Sequence, residues 1–269
     1  MSAAQVEAIE SAVVACERCP ELRAYCARVA AEKKRAHRDE DYWGRPVPSF
    51  GDPRARVVLV GLAPGAHGSN RTGRMFTGDG SGVWLYRALF RAGFANQPEQ
   101  RDRSDGLVLR DAFISAALRC APPGNKPTPS QLRRCFPYLV AELEAFADLR
   151  VVVGLGAIGT RAAVAALLAA GYVAREQHHF AHLGESKADH RHRPAVTVLS
   201  SYHPSRQNTN TGLLTEAMLD LVFTRAQALA SATARQGPDG EASNPHRKLS
   251  PVADELFLRN RHGPNGETT

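Results

Sequence analysis

Arg56-Val57-Val58-Leu59-Val60-Gly61 is the stretch that decides the fold class. Four apolar residues, three of them β-branched, stand between a charge and a glycine, with no polar alternation. Such a run reads as a strand buried on both faces, the kind found in a parallel sheet covered by helices. Residues 112–118, 151–154 and 195–200 have the same character. Helical patterns separate or follow them, over residues 81–94, from Thr128 onward, over 157–170 and over 212–230. In the second of these Pro129 sits early, where its missing N–H costs little. Alternating strands and helices predict one three-layer α/β domain, with a central four-stranded parallel sheet flanked by helices.

In such a sheet the loops leaving the carboxyl ends of the strands build the binding site. The loops at 61–80, 120–125 and 202–208 should therefore meet on one rim. Outside the sheet, residues 3–16 form a short amphipathic helix carrying Val6, Ile9, Val13 and Val14. Residues 28–41 read as a solvated helix ending in a turn at Tyr42–Pro46, and Ser81 is a candidate N-cap.

The chain has 269 residues, 43% hydrophobic and 23% charged, which suits a single soluble domain over 1–231. From 232 to 269 the composition shifts to Gly, Pro, Asn, Arg and Glu, the signature of a mobile tail. No apolar run approaches the ~20 residues of a membrane helix. The acidic N-terminal stretch lacks a signal-peptide pattern, so a cytoplasmic protein is expected. The net charge of +7 is consistent with a polyanionic partner. There are no internal repeats.

Four of the five cysteines form two distant pairs, Cys16-x2-Cys19 and Cys120-x14-Cys135. In a reducing compartment, clustered thiols mean metal or catalysis more often than disulfides. Four thiolates suit zinc or an iron–sulfur cluster, and spacing alone does not choose. Cys26 reads as a small buried residue. His178, His179, His182, His190 and His192 are irregularly spaced in what reads as a polar, mobile loop, which argues against a metal site.

The loop after the first strand, 61–79, mixes small residues with Arg71, Arg74, Phe76 and Asp79. Glycines there let backbone approach a ligand, and an aromatic side chain can stack on a base. It is not a phosphate-cradling P-loop, because the terminal Gly-Lys-Ser/Thr is missing. His203 follows the last strand and precedes Pro204, which fixes the turn. A histidine so placed is more often functional than structural.

Three motifs in order resemble the uracil-DNA glycosylase superfamily: Gly61-Leu62-Ala63-Pro64-Gly65, Arg119-Cys120-Ala121-Pro122-Pro123-Gly124-Asn125-Lys126-Pro127 and His203-Pro204-Ser205. The four cysteines add a likeness to its iron–sulfur branches. The run 67–79, the apolar Leu62 and the extension Arg206-Gln207-Asn208 look most like the type-B, or family 5, enzymes. The resemblance covers about residues 10–228.

It implies a structural [4Fe–4S] cluster held by Cys16, Cys19, Cys120 and Cys135. It also implies hydrolysis of the N-glycosidic bond of uracil in DNA, with hypoxanthine and other deaminated or damaged bases as further candidates. His203 would stabilise charge on uracil O2, and Asp79 would position water or stabilise the sugar cation. Phe76 would stack on the extruded base. Gly61, Ala63, Pro64 and Gly65 would lie along the pyrimidine, and Asn125 would bond the substrate. Arg71, Arg74, Lys126, Ser205 and Arg206 would contact DNA. A monomer is expected.

Two departures stand out. No polar side chain occurs in Leu62-Ala63-Pro64-Gly65, and Ala116 stands where some branches place an asparagine. The first removes the side chain that positions the attacking water in many relatives, which leaves Asp79 as the candidate for that role, and the second suggests looser base selectivity. The competing reading is a non-catalytic nucleic-acid-binding module with a structural metal cluster, which needs the charge and the cysteines but not His203 or Asp79. An electron-transfer protein would favour closely spaced cysteines, and these are dispersed.

Overall fold

A computed structural model describes residues 3–232. Almost all of the tail expected from 232 to 269 lies outside the described residues.

Among the described residues seven strands form one sheet: β1 (Phe50–Gly51), β2 (Val57–Gly61), β3 (Ala112–Ala116), β4 (Val151–Leu155), β5 (Val173–Ala174), β6 (Glu185–His190) and β7 (Arg193–Ser201), in the order β1-β3-β2-β4-β7-β6-β5. The four strands expected from the sequence are its centre, β3-β2-β4-β7, and all pair in parallel. The described residues also form eight α-helices: α1 (Ala3–Val14), α2 (Pro20–Glu32), α3 (Ser69–Thr72), α4 (Gly80–Arg91), α5 (Pro129–Ala145), α6 (Gly156–Ala169), α7 (Arg206–Asn210) and α8 (Glu216–Ala232).

Each central strand sends alternate side chains to opposite faces. Val58 and Val60 of β2 join a core with Leu22 of α2, Leu139 and Leu143 of α5 and Leu167 of α6. Val57 and Leu59 join the opposite core, with Leu85 and Leu89 of α4 and Val222 and Phe223 of α8. Burying each such side chain is worth about 1.5–3 kcal/mol, which is why an unbroken apolar run sits in the middle of the sheet.

The remaining strands were not legible. β1 adds an antiparallel edge through Phe50 opposite Ile114. β5 and β6 add an antiparallel pair at the other edge. β6 comes from the histidine-rich segment expected to be a mobile loop. Its inward residues are Ser186 and Ala188, so its period of two is carried by small side chains rather than by an apolar stripe.

Other boundaries differ for local reasons. α2 starts directly after Cys19 with Pro20 in its first turn, and the charged stretch after Glu32 continues only as a short 3-10 turn, Arg35–His37. α4 is capped by Asp79, whose side chain accepts from the Gly82 N–H at 3.0 Å, and not by Ser81. The last helix starts at Glu216 rather than at residue 212, and the loop expected at 202–208 contains the short helix α7. Thr128 opens α5 with a capping box to Gln131, as its sequence suggests.

One buried ion pair ties the sheet to α5. The Arg119 guanidinium donates to Glu142, with both side chains at most 2% exposed. Ser49 and Ser115 donate to the two carboxylate oxygens at 2.6 and 2.7 Å. This network sits immediately before Cys120 and fixes where the chain leaves β3.

Candidate active site

The three loops meet. A cleft of about 560 Å³ at the carboxyl ends of the parallel strands is lined by Leu62, Ala63, Gly65, Ser69, Met75, Phe76, Asp79, Gly80, Ser81, Ala116, Asn125, His203, Ser205, Arg206 and Gln207. Its walls come from the segments after β2, β3 and β7, the position that parallel topology reserves for ligands.

Phe76 and His203 form one side, with ring centroids 5.8 Å apart and planes 31° apart. Phe76 has φ +51°, a left-handed conformation that bulky side chains avoid and that costs of order 1–3 kcal/mol. The fold imposes it through neighbouring contacts: Tyr86 donates to the Met75 carbonyl at 2.8 Å, and Arg74 donates to Thr77 at 2.9 Å. The Phe76 ring lies over Gly61, where an added Cβ would sit 2.8 Å from it. Gly61 therefore seats the aromatic ring and does not itself line the cleft.

His203 is anchored through its carbonyl, which accepts from the Ser205 N–H at 2.8 Å and from Asn208 Nδ2 at 2.9 Å. Among the described residues no protein hydrogen bond occupies its ring nitrogens. Burial pushes the imidazole down to about 4, so at neutral pH it is uncharged.

Asp79 faces the first loop from the start of α4. Burial pushes its carboxyl above the ordinary range, although backbone N–H groups of Gly82 and Ser81 and the charges of Arg206 and Arg71 pull the other way. Gly65 and Gly68 make room for it: a Cβ on either would lie 3.1 or 2.3 Å from Asp79 Oδ2. The glycine-rich loop is thus shaped round a carboxylate.

Not every expected residue reaches the cleft. Arg71 is buried. It donates to Glu40, to the His67 carbonyl at 2.8 Å and to the Gly78 carbonyl at 2.9 Å. Arg74 is buried in a two-bond pair with Asp105, at 2.7 and 2.6 Å. Burial pushes the Asp105 carboxyl up, but hydrogen bonds from Arg74 and from the backbone of Arg101 and Leu107 outweigh it and hold it well below the ordinary range. Both arginines therefore brace the loop rather than face solvent. Pro64 is buried away from the cleft. Arg206 and Lys126 are exposed, and Arg206 lines the rim. Ser205 lines it too and caps α7.

Ser69, Met75, Ser81 and Gln207 line the cleft without having been expected there. They lie in or beside the segments that carry the expected residues, but their types are too ordinary to single out. Ala116 is buried at the end of β3, so no polar side chain projects from that position.

The four cysteines also come together. Cys16 follows α1, Cys19 precedes α2, Cys120 follows β3 and Cys135 lies on α5. None is in a disulfide, and all four line one small cavity with Leu22, Pro46, Leu118, Arg18, Arg23, Arg119 and Arg134. Burial pushes the Cys135 thiol up to about 11, and Cys16 and Cys19 push the same way. The Cys135 thiol stays protonated unless a cation compensates it, which is what a metal group supplies. Among the described residues no three Cys, His, Asp or Glu donors are gathered closely enough for a single ion. The histidines are engaged elsewhere. His178 bonds Ser186 and Ser200, and His182 bonds the Met218 carbonyl and accepts from the Tyr202 N–H. Cys26 is fully buried, 3.7 Å from the Ala121 carbonyl.

A parallel sheet whose rim combines a seated aromatic, an uncharged histidine and a desolvated carboxylate defines an enzyme site for a planar, polar ligand. The family model described as uracil DNA glycosylase superfamily matches residues 48–227. The chain belongs to that superfamily. It is 48% identical over 225 residues to a type-5 uracil-DNA glycosylase of Thermus thermophilus, covering 83% of this chain and 98% of that protein. A type-5 uracil-DNA glycosylase of Mycobacterium tuberculosis is 44% identical over 223 residues, 82% of this chain and 81% of the relative. A type-4 enzyme of Archaeoglobus fulgidus matches only 111 residues, at 36% identity, 41% of this chain and 48% of that protein. No helix among the described residues is long and apolar enough to cross a membrane.

Proposed function

We propose that this chain is a monofunctional DNA glycosylase that hydrolyses the N-glycosidic bond of uracil in DNA, leaving an abasic site for base excision repair. The observation that carries it is the meeting of Phe76, Asp79 and the unpartnered His203 ring in one cleft. The type-5 relatives supply the base. A binding module has no need of a desolvated carboxylate beside an uncharged histidine.

The target bond is inaccessible inside a stacked duplex, so the nucleotide is extruded. Its base stacks on Phe76, and backbone at Ala63 and Gly65 borders the pyrimidine. Asn125, at φ +56° in the turn after Cys120, bonds the base or its sugar from the facing loop. As the C1′–N1 bond breaks, its electron pair leaves with the base and positive charge grows on the sugar. His203, already uncharged, donates to uracil O2 where negative charge collects; a neutral donor needs no prior proton uptake. Asp79 faces the sugar, stabilises its positive charge and orients the water that adds to C1′. Its raised proton affinity suits it to take that water's proton. With alanine at 116 and an open cleft, selectivity is broad enough for hypoxanthine and other deaminated or damaged bases. Arg206, Lys126 and Ser205 contact phosphates. All these groups come from one chain, so a monomer suffices, and a chromosomal substrate places it in the cytoplasm.

Cys16, Cys19, Cys120 and Cys135 hold a [4Fe–4S] cluster. Four thiols around a cavity, too dispersed for one ion, suit a group that brings its own sulfides. When bound, the cluster supplies a covalent clamp between the N-terminal segment and the Cys120–Cys135 segment, not a reacting group. The clamp holds the turn bearing Asn125.

The test is a labelled oligonucleotide with one uracil, treated with metal-replete protein and then with alkali. Strand scission by the wild type, and none by His203→Ala that still binds DNA, is the expected result. No scission by either protein, with binding intact, overturns the enzyme reading.

A further inference from the structure

Four buried side-chain polar atoms lack a hydrogen-bond partner among the described residues: Arg23 Nη1, Arg119 Nε, Asn70 Oδ1 and Tyr172 Oη. The first two belong to side chains lining the same small cavity, the one ringed by the four cysteines. Buried donors of a guanidinium are rarely left unpaired, because desolvation without a partner is costly. Two such donors at one cavity point to an acceptor placed between them.

The surroundings narrow what that acceptor is. The side chains at the cavity are cysteine, arginine, leucine and proline, so its only side-chain acceptors are sulfurs. The far end of Arg119 is already committed: Nη1 donates to Ser49, and Nη2 donates to Ser115 at 2.9 Å and to Glu142. This holds Nε in place, one residue before Cys120 in the chain. Arg23 lies four residues after Cys19 on α2, one helical turn further on the same face. Neither arginine has been given a role in base excision.

We propose that Arg23 through Nη1 and Arg119 through Nε donate hydrogen bonds to sulfur of the group held by Cys16, Cys19, Cys120 and Cys135. The inference rests on the cluster reading above. Its chemistry is general: a cluster bound by four thiolates is anionic, and N–H groups and positive charge at its sulfurs favour the more reduced state and retain the metal. The two arginines thus set the cluster's reduction potential upward and slow its loss.

Arg23 is the residue to change, because Arg119 also holds the buried Glu142 and its loss threatens folding. The full chain is purified without oxygen as wild type, Arg23→Met, Arg23→Lys and, as a control on the exposed side of α2, Arg28→Met. Iron, sulfide and zinc are counted, the midpoint potential is measured by film voltammetry, and bleaching of the visible absorption by a chelator is timed. Arg23→Met should have a more negative potential and bleach about tenfold faster, as loss of a supporting hydrogen bond commonly does. Arg23→Lys should recover part of both, and Arg28→Met should match the wild type. An iron–sulfide wild type whose Arg23→Met variant keeps both potential and bleaching rate overturns the proposal alone. A wild type holding zinc, or iron without sulfide, overturns the cluster reading and the proposal with it.

Discussion

Gly68 and Asp79 are packed so closely that a methyl group on the glycine would lie 2.3 Å from Asp79 Oδ2 and 3.0 Å from its Cγ. The carboxylate cannot easily swing away, since its other oxygen caps α4 through the Gly82 N–H. Gly68→Ala should therefore displace the carboxylate without emptying the core. We expect single-turnover excision to fall by about 10²-fold, as sub-ångström displacement of a reacting group does, with DNA affinity within a few-fold of wild type. A variant with the wild-type rate would show that the position of Asp79 does not govern the reaction.

Asp79→Asn separates stability from activity. Asparagine caps a helix about as well as aspartate, and the buried carboxyl resists ionisation. The native state therefore holds the Asp79 proton to higher pH than the unfolded chain does. Its contribution to stability is full below the ordinary carboxylate range and is lost as pH rises through the folded value. At pH 8 the asparagine variant should be at least as stable in urea as the wild type, yet excise uracil about 10²–10⁴-fold more slowly. Parallel losses of stability and rate would make the residue structural.

The pH dependence of excision follows from the same two groups. His203 is uncharged well above about 4, so it puts no limb near 6.5 in the rate profile. Asp79 must be ionised, and burial raises the pH at which it becomes so. The single-turnover rate should thus be level through neutral and mildly alkaline pH. It should fall on the acid side at a midpoint above the ordinary aspartate value of 3.8. His203→Ala should lower the plateau by about 10²–10³-fold and leave that midpoint in place. A midpoint that moved with His203 would assign the titration to the imidazole.

Arg206 and Arg74 should behave in opposite ways. Arg206 is exposed at the rim, so Arg206→Ala should reduce the slope of log affinity against log salt by about 0.9. Arg74→Met leaves the Asp105 carboxylate buried and unpaired, and should cost about 3–5 kcal/mol of stability with the slope unchanged. Equal slopes for wild type and Arg206→Ala would remove the phosphate contact from the rim.

That contrast marks what a sequence can and cannot carry here. The strand at Val57–Gly61 was legible because burial on both faces leaves no polar residue in it. The meeting of the loops that carry Phe76, Asn125 and His203 followed from topology, since parallel strands put their carboxyl ends together. The inward turn of Arg71 and Arg74 was not legible. Their partners Glu40 and Asp105 each lie 31 residues away, and nothing local distinguishes a braced arginine from a solvated one. Gly61 looked like a ligand contact, because a glycine that admits a phenyl ring and one that admits a base read alike. β6 was missed because Ser186 and Ala188 bury themselves without being strongly apolar.

Glu10 tests the electrostatics around the buried Arg119–Glu142 pair. Burial, and then the charge of Glu142, push its carboxyl up to about 7 from an ordinary value of 4.5. The folded chain therefore keeps this proton over a range in which the unfolded chain has released it. Its contribution to stability is full below 4.5 and lost as pH rises through about 7. Glu10→Gln carries no charge at any pH. It should stabilise the protein at pH 8 by about 1 kcal/mol, a figure reduced from the full shift because the side chain is partly exposed. At pH 4, where the wild-type residue is itself neutral, the two proteins should have matching urea midpoints. Equal stabilisation at both pH values would mean that the glutamine acts through packing and that Glu10 titrates as an ordinary surface carboxylate.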